Sequence, residues 1–79
     1  MSKKKKQVFR AISPLLGYIH EFGKEDRENL WKVEMMVTQF LLAQNEREMA
    51  LEHARASLNA APDAVKGEIE VIIDYLNGL

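Results

Sequence analysis

MALEHARASLNAAP, residues 49–62, decides the fold, because this stretch predicts one helix with a small-residue face and a definite end. Spacings of three or four residues bring four small side chains onto one helical face, namely Ala50, Ala54, Ser57 and Ala61. Pro62 cannot continue the helical hydrogen-bond ladder, and it biases the residue before it away from the helical conformation. The stretch therefore predicts a helix over residues 46–60 against which another helix packs closely.

The segment before this stretch predicts the neighbouring helix, over residues 25–43. Acidic side chains crowd its first turn, where the helix dipole favours negative charge. One apolar stripe follows at helical spacing, formed by Leu30, Val33, Val37, Phe40 and Leu41. Only Gln44 and Asn45 separate the two helices, and asparagine tolerates the left-handed conformation that tight turns use. So short a connection predicts an antiparallel pair.

Two further helices are predicted on either side of this pair. The first covers residues 5–22, where Ser13-Pro14 leaves open either two short helices or one kinked helix. Gly23 follows it and is expected to close it in the left-handed conformation. The other covers residues 63–76, with apolar positions at helical spacing. We therefore expect an all-α protein, a small antiparallel helical bundle of three to four helices in one domain over residues 1–79.

Composition supports this expectation and excludes several classes of protein. The 79 residues are 47% hydrophobic and 29% charged, as in soluble globular domains, and they include four glycines and two prolines. The sequence has no cysteine, so it can form neither a disulfide nor a thiolate zinc site. No segment approaches the roughly 18 apolar residues of a membrane span. A cytoplasmic location is the expectation.

Charge is distributed unevenly along the chain. Five positive charges precede residue 11, so the remainder carries −6 to reach the net charge of −1. The basic residues are Lys3, Lys4, Lys5, Lys6 and Arg10. Residues 1–6 are expected to be a flexible basic arm, which either only solubilises the terminus or binds nucleic acid or an acidic partner.

Residues 31–62 resemble a tetratricopeptide repeat, a helical hairpin whose second helix carries small residues and ends in proline. Asn45-Glu46 stands in the place of the usual turn, Ala50 at the small site that opens the second helix, and Leu58 and Pro62 close it. Glu34 stands where the family usually has tryptophan. The resemblance implies a tetratricopeptide-like hairpin at the centre of the bundle.

In that family the concave face of the first helix binds a peptide or helix of a partner protein. Carried over to this sequence, with the neighbouring tryptophan and methionine added as interface anchors, the partner-binding residues would be Trp31, Lys32, Met35, Met36, Gln39 and Leu42. The same tryptophan and methionines could equally be ordinary core residues.

No catalytic or metal-binding pattern accompanies these residues. The two histidines, His20 and His53, lie on different predicted helices without a ligand one turn away, so surface or helix-cap positions are expected for both. We expect no catalytic residues, metal or cofactor.

The sequence therefore predicts a binding module. The leading hypothesis is a non-enzymatic adaptor, co-chaperone or inhibitor that binds a partner protein through an apolar helical groove. The alternatives are a nucleic-acid-binding accessory protein that uses the lysine arm, and a self-associating structural protein in which the chain pairs with copies of itself.

Overall fold

A computed structural model describes residues 3–79, and its side chains from residue 7 onward. The described chain forms four helices: α1 (Lys3–Phe22), α2 (Arg27–Ala43), α3 (Arg47–Ala60) and α4 (Asp63–Gly78). The expected all-α architecture is confirmed, and each helix begins and ends within two residues of its predicted bounds.

Helices α2 and α3 form the centre of the molecule and make its most extensive helix–helix contact. The predicted small-residue face lies in this contact, since Ala50, Ala54 and Ser57 are fully buried and Ala61 nearly so. Asn45 turns the chain between the two helices at a φ of 61°, the left-handed conformation expected of it. The stretch that predicts a close helical neighbour therefore has one.

Two apolar clusters form around this pair, and a different outer helix completes each. Val8 and Ile12 of α1 pack with Val37 and Leu41 of α2 and with Ala50 of α3. The second cluster joins Met35 of α2 and Ala61 to α4, through Ile69 and the half-buried Val65, Ile72 and Ile73. Over the described residues each helix packs mainly on its neighbours in the chain, so the molecule is a flat slab of 38 × 32 × 13 Å.

The structure decides two sequence predictions, one about the course of α1 and one about Gly23 after it. It runs through Pro14 as one helix, so the alternative of two short helices is wrong. The prediction of a left-handed Gly23 is also wrong, because no glycine among the described residues has a positive φ. Gly23 is buried, and a β-carbon there would collide with the carbonyl oxygen of Ile19. Close approach of the backbone, and not an unusual φ, is what requires glycine.

The proposed basic arm lies at the limit of the described structure. Residues 1–2 lie outside the described residues, and the backbone of residues 3–6 belongs to the first turn of α1. The side chains of the four lysines lie outside the described part of the chain.

Enlarging a residue of the small face tests the close approach of α2 and α3. Ala54→Leu adds three carbons at a position with no exposed surface, so we expect a loss of about 1–3 kcal/mol in the free energy of unfolding. Ala11→Leu makes the same change at an exposed position of α1 and should stay within about 0.5 kcal/mol of the wild type. Urea denaturation followed by circular dichroism measures both, and equal effects would contradict the close packing.

Candidate functional site

The six residues that the sequence predicts for partner binding divide between the surface and the core. Lys32, Met36 and Gln39 are exposed on α2, and the side chain of Met36 is 55% accessible. Met35 is buried in the second cluster with the half-buried Trp31, and Leu42 packs against the first cluster. The structure therefore brings Lys32, Met36 and Gln39 onto one accessible face, while the other three contribute to packing. Binding through this face stays a prediction.

A concave feature lies between the C-terminal ends of α1 and α3, beside the N-terminal half of α2. It is an open cleft of about 560 Å³. Ile19 of α1 and Gly23, just after that helix, form one wall, Ala56 and Ala60 of α3 form the other, and Leu30 lies at the base. The walls are apolar and their side chains on α3 are small, so the cleft has room for an apolar side chain from another molecule.

A buried hydrogen bond between Glu34 and His53 fixes the floor of the cleft. The Glu34 carboxylate, whose side chain is 7% accessible, lies with its Oε1 2.8 Å from Nδ1 of His53 on α3. An ionised carboxylate only accepts hydrogen bonds, so His53 donates from Nδ1. A carboxylate at this depth is costly without a partner. The pair therefore ties α2 to α3 and satisfies the one acid that lines the cleft.

Two more polar contacts align α2 with α3 along the same interface. The Ser57 hydroxyl donates to the Trp31 carbonyl oxygen at 2.8 Å. The Arg27 guanidinium donates to the Asn59 carbonyl oxygen at 2.9 Å, near the negative end of the α3 dipole. Together with the Glu34–His53 hydrogen bond, these contacts hold the register of α2 and α3 and so the shape of the cleft beside them.

The turn between α1 and α2 is held by a hydrogen bond near the mouth of the cleft. The Tyr18 hydroxyl donates to Oδ2 of Asp26 at 2.5 Å, and the Asn29 amide donates to the same oxygen at 2.9 Å. The bond from Tyr18, followed by that from Asn29, lowers the pKa of Asp26 below its ordinary value. The bond to Asp26, with burial and the negative charge adding to it, raises the pKa of Tyr18.

The rim of the cleft is mainly basic. Lys24 and Arg27 stand at its mouth with His20 and Asn59, and all four are exposed. Because Glu34 already has a partner, the cations are the charges available to a ligand. The cleft suits an apolar group that carries a negative charge near it.

Sequence reasoning missed this cleft and the residues that build it. His53 was expected on the surface or at a helix cap, but it is half-buried and bound to Glu34. The available signal was Glu34 itself, a charged residue among the apolar positions of α2. Ala56 and Ala60, four residues apart on α3, were a second signal, because they mark a small-sided face beside the buried stripe.

Neither a cluster of metal ligands nor a membrane-spanning helix is present in the described part of the chain. From residue 7 onward, no group of three or more histidine, aspartate or glutamate side chains is placed to hold a metal ion. None of the four helices described is long and apolar enough to cross a bilayer.

Comparison with known proteins finds a similarity to part of a longer protein. The chain is 42% identical over 67 residues to the thioredoxin-related protein DsbJ of Chlamydia pneumoniae. The matched region is 85% of this chain and 19% of that protein, so the chain spans about a fifth of the length of the curated relative it matches. No protein family and no solved structure matches the chain.

The Tyr18–Asp26 bond predicts a pH-dependent contribution to stability. Because the pKa of Asp26 is lowered in the folded state, the contribution is present above the ordinary aspartate pKa of about 3.9 and is lost as the pH falls through the folded value. The raised pKa of Tyr18 means that the contribution persists below the ordinary tyrosine pKa of about 10 and is lost as the pH rises through the folded value.

Tyr18→Phe should therefore lower the unfolding midpoint most between about pH 5 and pH 9, with a difference that shrinks toward both extremes. Thermal unfolding across this range measures the effect. Tyr75→Phe removes a hydroxyl from an exposed tyrosine and serves as the control. A Tyr18→Phe difference that stayed constant down to about pH 2 would show that the bond does not contribute as described.

The Glu34–His53 pair predicts unequal effects for the two histidines. His53→Ala leaves the buried Glu34 carboxylate without its partner, so we expect a loss of about 1–3 kcal/mol in the free energy of unfolding. His20→Ala, at an exposed position, should change it by less than about 0.5 kcal/mol. Denaturant titration at neutral pH measures the free energy of unfolding of both variants. A His53→Ala variant as stable as the wild type would contradict a structural role for the pair.

Proposed function

We propose that this chain is a small protein-interaction module that holds a segment of a partner protein in the cleft between α1 and α3. One observation carries the proposal. The cleft has apolar walls, and its floor is already fixed by the bond between Glu34 and His53. A site formed before the ligand arrives avoids much of the ordering cost of binding.

The cleft indicates the chemistry of the partner segment. An apolar side chain would pack between Ile19, Leu30 and the alanines of α3. A carboxylate beside that side chain would lie near Lys24 and Arg27. Arg27 uses one donor on the Asn59 carbonyl oxygen, and a guanidinium has five. The favoured ligand is therefore an acidic segment with an apolar anchor.

The resemblance to a tetratricopeptide repeat supports a role in protein binding. The α2–α3 pair is an antiparallel hairpin with a buried small-residue face, and α1 and α4 supply the packing that one hairpin lacks. An adaptor, co-chaperone or inhibitor would each act in this way, by occupying a partner's segment. The exposed face of Lys32, Met36 and Gln39 is a second surface on which the same partner could continue.

The Chlamydia relative supplies a defined candidate partner. That protein is named as thioredoxin-related, and this chain is similar to about a fifth of it. The 79 residues contain no cysteine, so they provide no thiol of their own. We propose that a helical segment of this kind holds, in its cleft, a segment of the rest of such a protein. The remaining four-fifths of the relative is therefore the first probe to test.

Substitutions inside and outside the cleft test the proposed function. Ala60→Phe fills the cleft with a phenyl ring, and Lys24→Glu reverses a charge at its rim. Each should weaken binding of the partner by about tenfold or more, as loss of an interface anchor does. Arg55→Glu reverses an exposed charge on α3 outside the cleft and should leave binding unchanged.

The measurement is binding of each labelled variant to the remaining part of the relative, followed by capture from cell extract and mass spectrometry if that probe does not bind. Circular dichroism confirms that each variant is folded. A partner held equally by the wild type, Ala60→Phe and Lys24→Glu would exclude the cleft as the binding site.

A further inference from the structure

The face of α4 that points away from the core carries an apolar stripe. Val71 is 66% accessible and Tyr75 is 59% accessible. These are the two largest values among the bulky apolar residues of the described chain. Spacings of three or four residues place on one face five exposed positions, namely Ala64, Gly67, Val71, Tyr75 and Gly78. The core residues Ile69 and Leu76 lie on the opposite face. This apolar stripe has no partner among the residues described.

Nothing within the described chain requires a glycine at position 67. It lies in the interior of α4, where glycine is a poor helix former, and it is exposed. A β-carbon added to it would meet no atom within 4 Å. Its φ is not positive, so backbone conformation does not require glycine either. The missing side chain leaves the helix backbone open to close approach from outside, as small residues do where two helices cross.

The charges beside the stripe indicate what covers it. Glu68 flanks it on one side, and Glu70 and Asp74 flank it on the other; all three are exposed. Lys66 lies toward the far side of the helix, 3.8 Å from Asp63. A second copy that used the same face would bring these acids together, and an anionic membrane would repel them. A basic partner is the complementary one.

We propose that this face of α4 docks an amphipathic helix of another protein, whose apolar side chains pack on Val71 and Tyr75 over Gly67 and whose flanking lysines or arginines pair with Glu68, Glu70 and Asp74. A helix fits because the stripe repeats at helical spacing and offers a small residue at the crossing point. The proposal is independent of the cleft, since α4 contributes no residue to the cleft lining.

Two synthetic peptides as long as α4 test the charge requirement. Each is an amphipathic helix with leucine on one face, and the other face carries lysine in the first peptide and glutamate in the second. The leucine–lysine peptide should bind the full chain saturably, with chemical-shift changes in isotope-labelled protein centred on α4. The leucine–glutamate peptide should bind at least about tenfold more weakly. Added salt should weaken the first interaction.

Two variants test the contact itself. Gly67→Gln adds a helix-favouring, uncharged side chain at the crossing point, so it should raise the melting temperature of the chain while weakening peptide binding by about tenfold. Val71→Ser removes the apolar contact without touching the core and should weaken binding similarly. Ala60→Phe, which fills the cleft, should leave peptide binding unchanged. A failure of the α4 proposal is therefore distinguishable from a failure of the proposed cleft function.

Equal binding of both peptides would overturn the proposal, and so would full binding by Gly67→Gln. Shift changes centred on the cleft, or loss of binding in Ala60→Phe, would place the peptide elsewhere and overturn it as well. If sedimentation shows that the wild type dimerises and Gly67→Gln does not, the face belongs to a second copy and the proposal is wrong.

Discussion

The close approach of α2 and α3 is the constraint on which the rest of the molecule depends. Ala50, Ala54 and Ser57 have no exposed surface, and α2 and α3 make the most extensive helix–helix contact of the molecule. This closeness brings the Ser57 hydroxyl to the Trp31 carbonyl oxygen and His53 to Glu34. A hydroxyl or a carboxylate buried without such partners would cost stability. Packing and polar contacts therefore specify the same register.

The outer helices follow from this pair, and so does the cleft. Helix α1 meets α3 in the first cluster, where Val8 and Ile12 pack with Ala50. Toward its C-terminus α1 packs on α2, and the bond from Tyr18 to Asp26 holds the turn between them. The space that opens between α1 and α3 is the cleft. A tight turn and a small-residue interface thus create the cleft without a dedicated loop.

The fold was largely predictable because it depends on local patterns. Apolar spacing, Pro62 and the short Gln44-Asn45 connection are read directly from neighbouring residues, and they gave four helices in their correct places. The cleft was not predictable in the same way. It depends on how far α1 diverges from α3, and no local pattern encodes that distance. The partner of His53 lies nineteen residues away on another helix, and the reason for Gly23 is a backbone contact that periodicity does not reveal.

The different burial of Met35 and Met36 also shows what local sequence patterns cannot predict. Both are methionines on α2, yet Met35 is 9% accessible and Met36 is 55% accessible. A helix turns by about 100° per residue, so neighbours in sequence face different surroundings. The sequence marks α2 as apolar on several sides, but only the positions of α3 and α4 decide which side is covered. Helix α4 covers Met35 through Ile69 and its neighbours.

The two proposed surfaces differ in charge and in the residues that build them. Lys24 and Arg27 make the mouth of the cleft basic, whereas Glu68, Glu70 and Asp74 make the outer face of α4 acidic. A partner suited to one surface is therefore repelled by the other, which is how charge gives specificity to small interfaces. Since α4 lines no part of the cleft, occupying one surface uses no residue of the other. If both proposals hold, this chain of 79 residues would bind two different polypeptides at once, which is the arrangement that the proposed adaptor role requires.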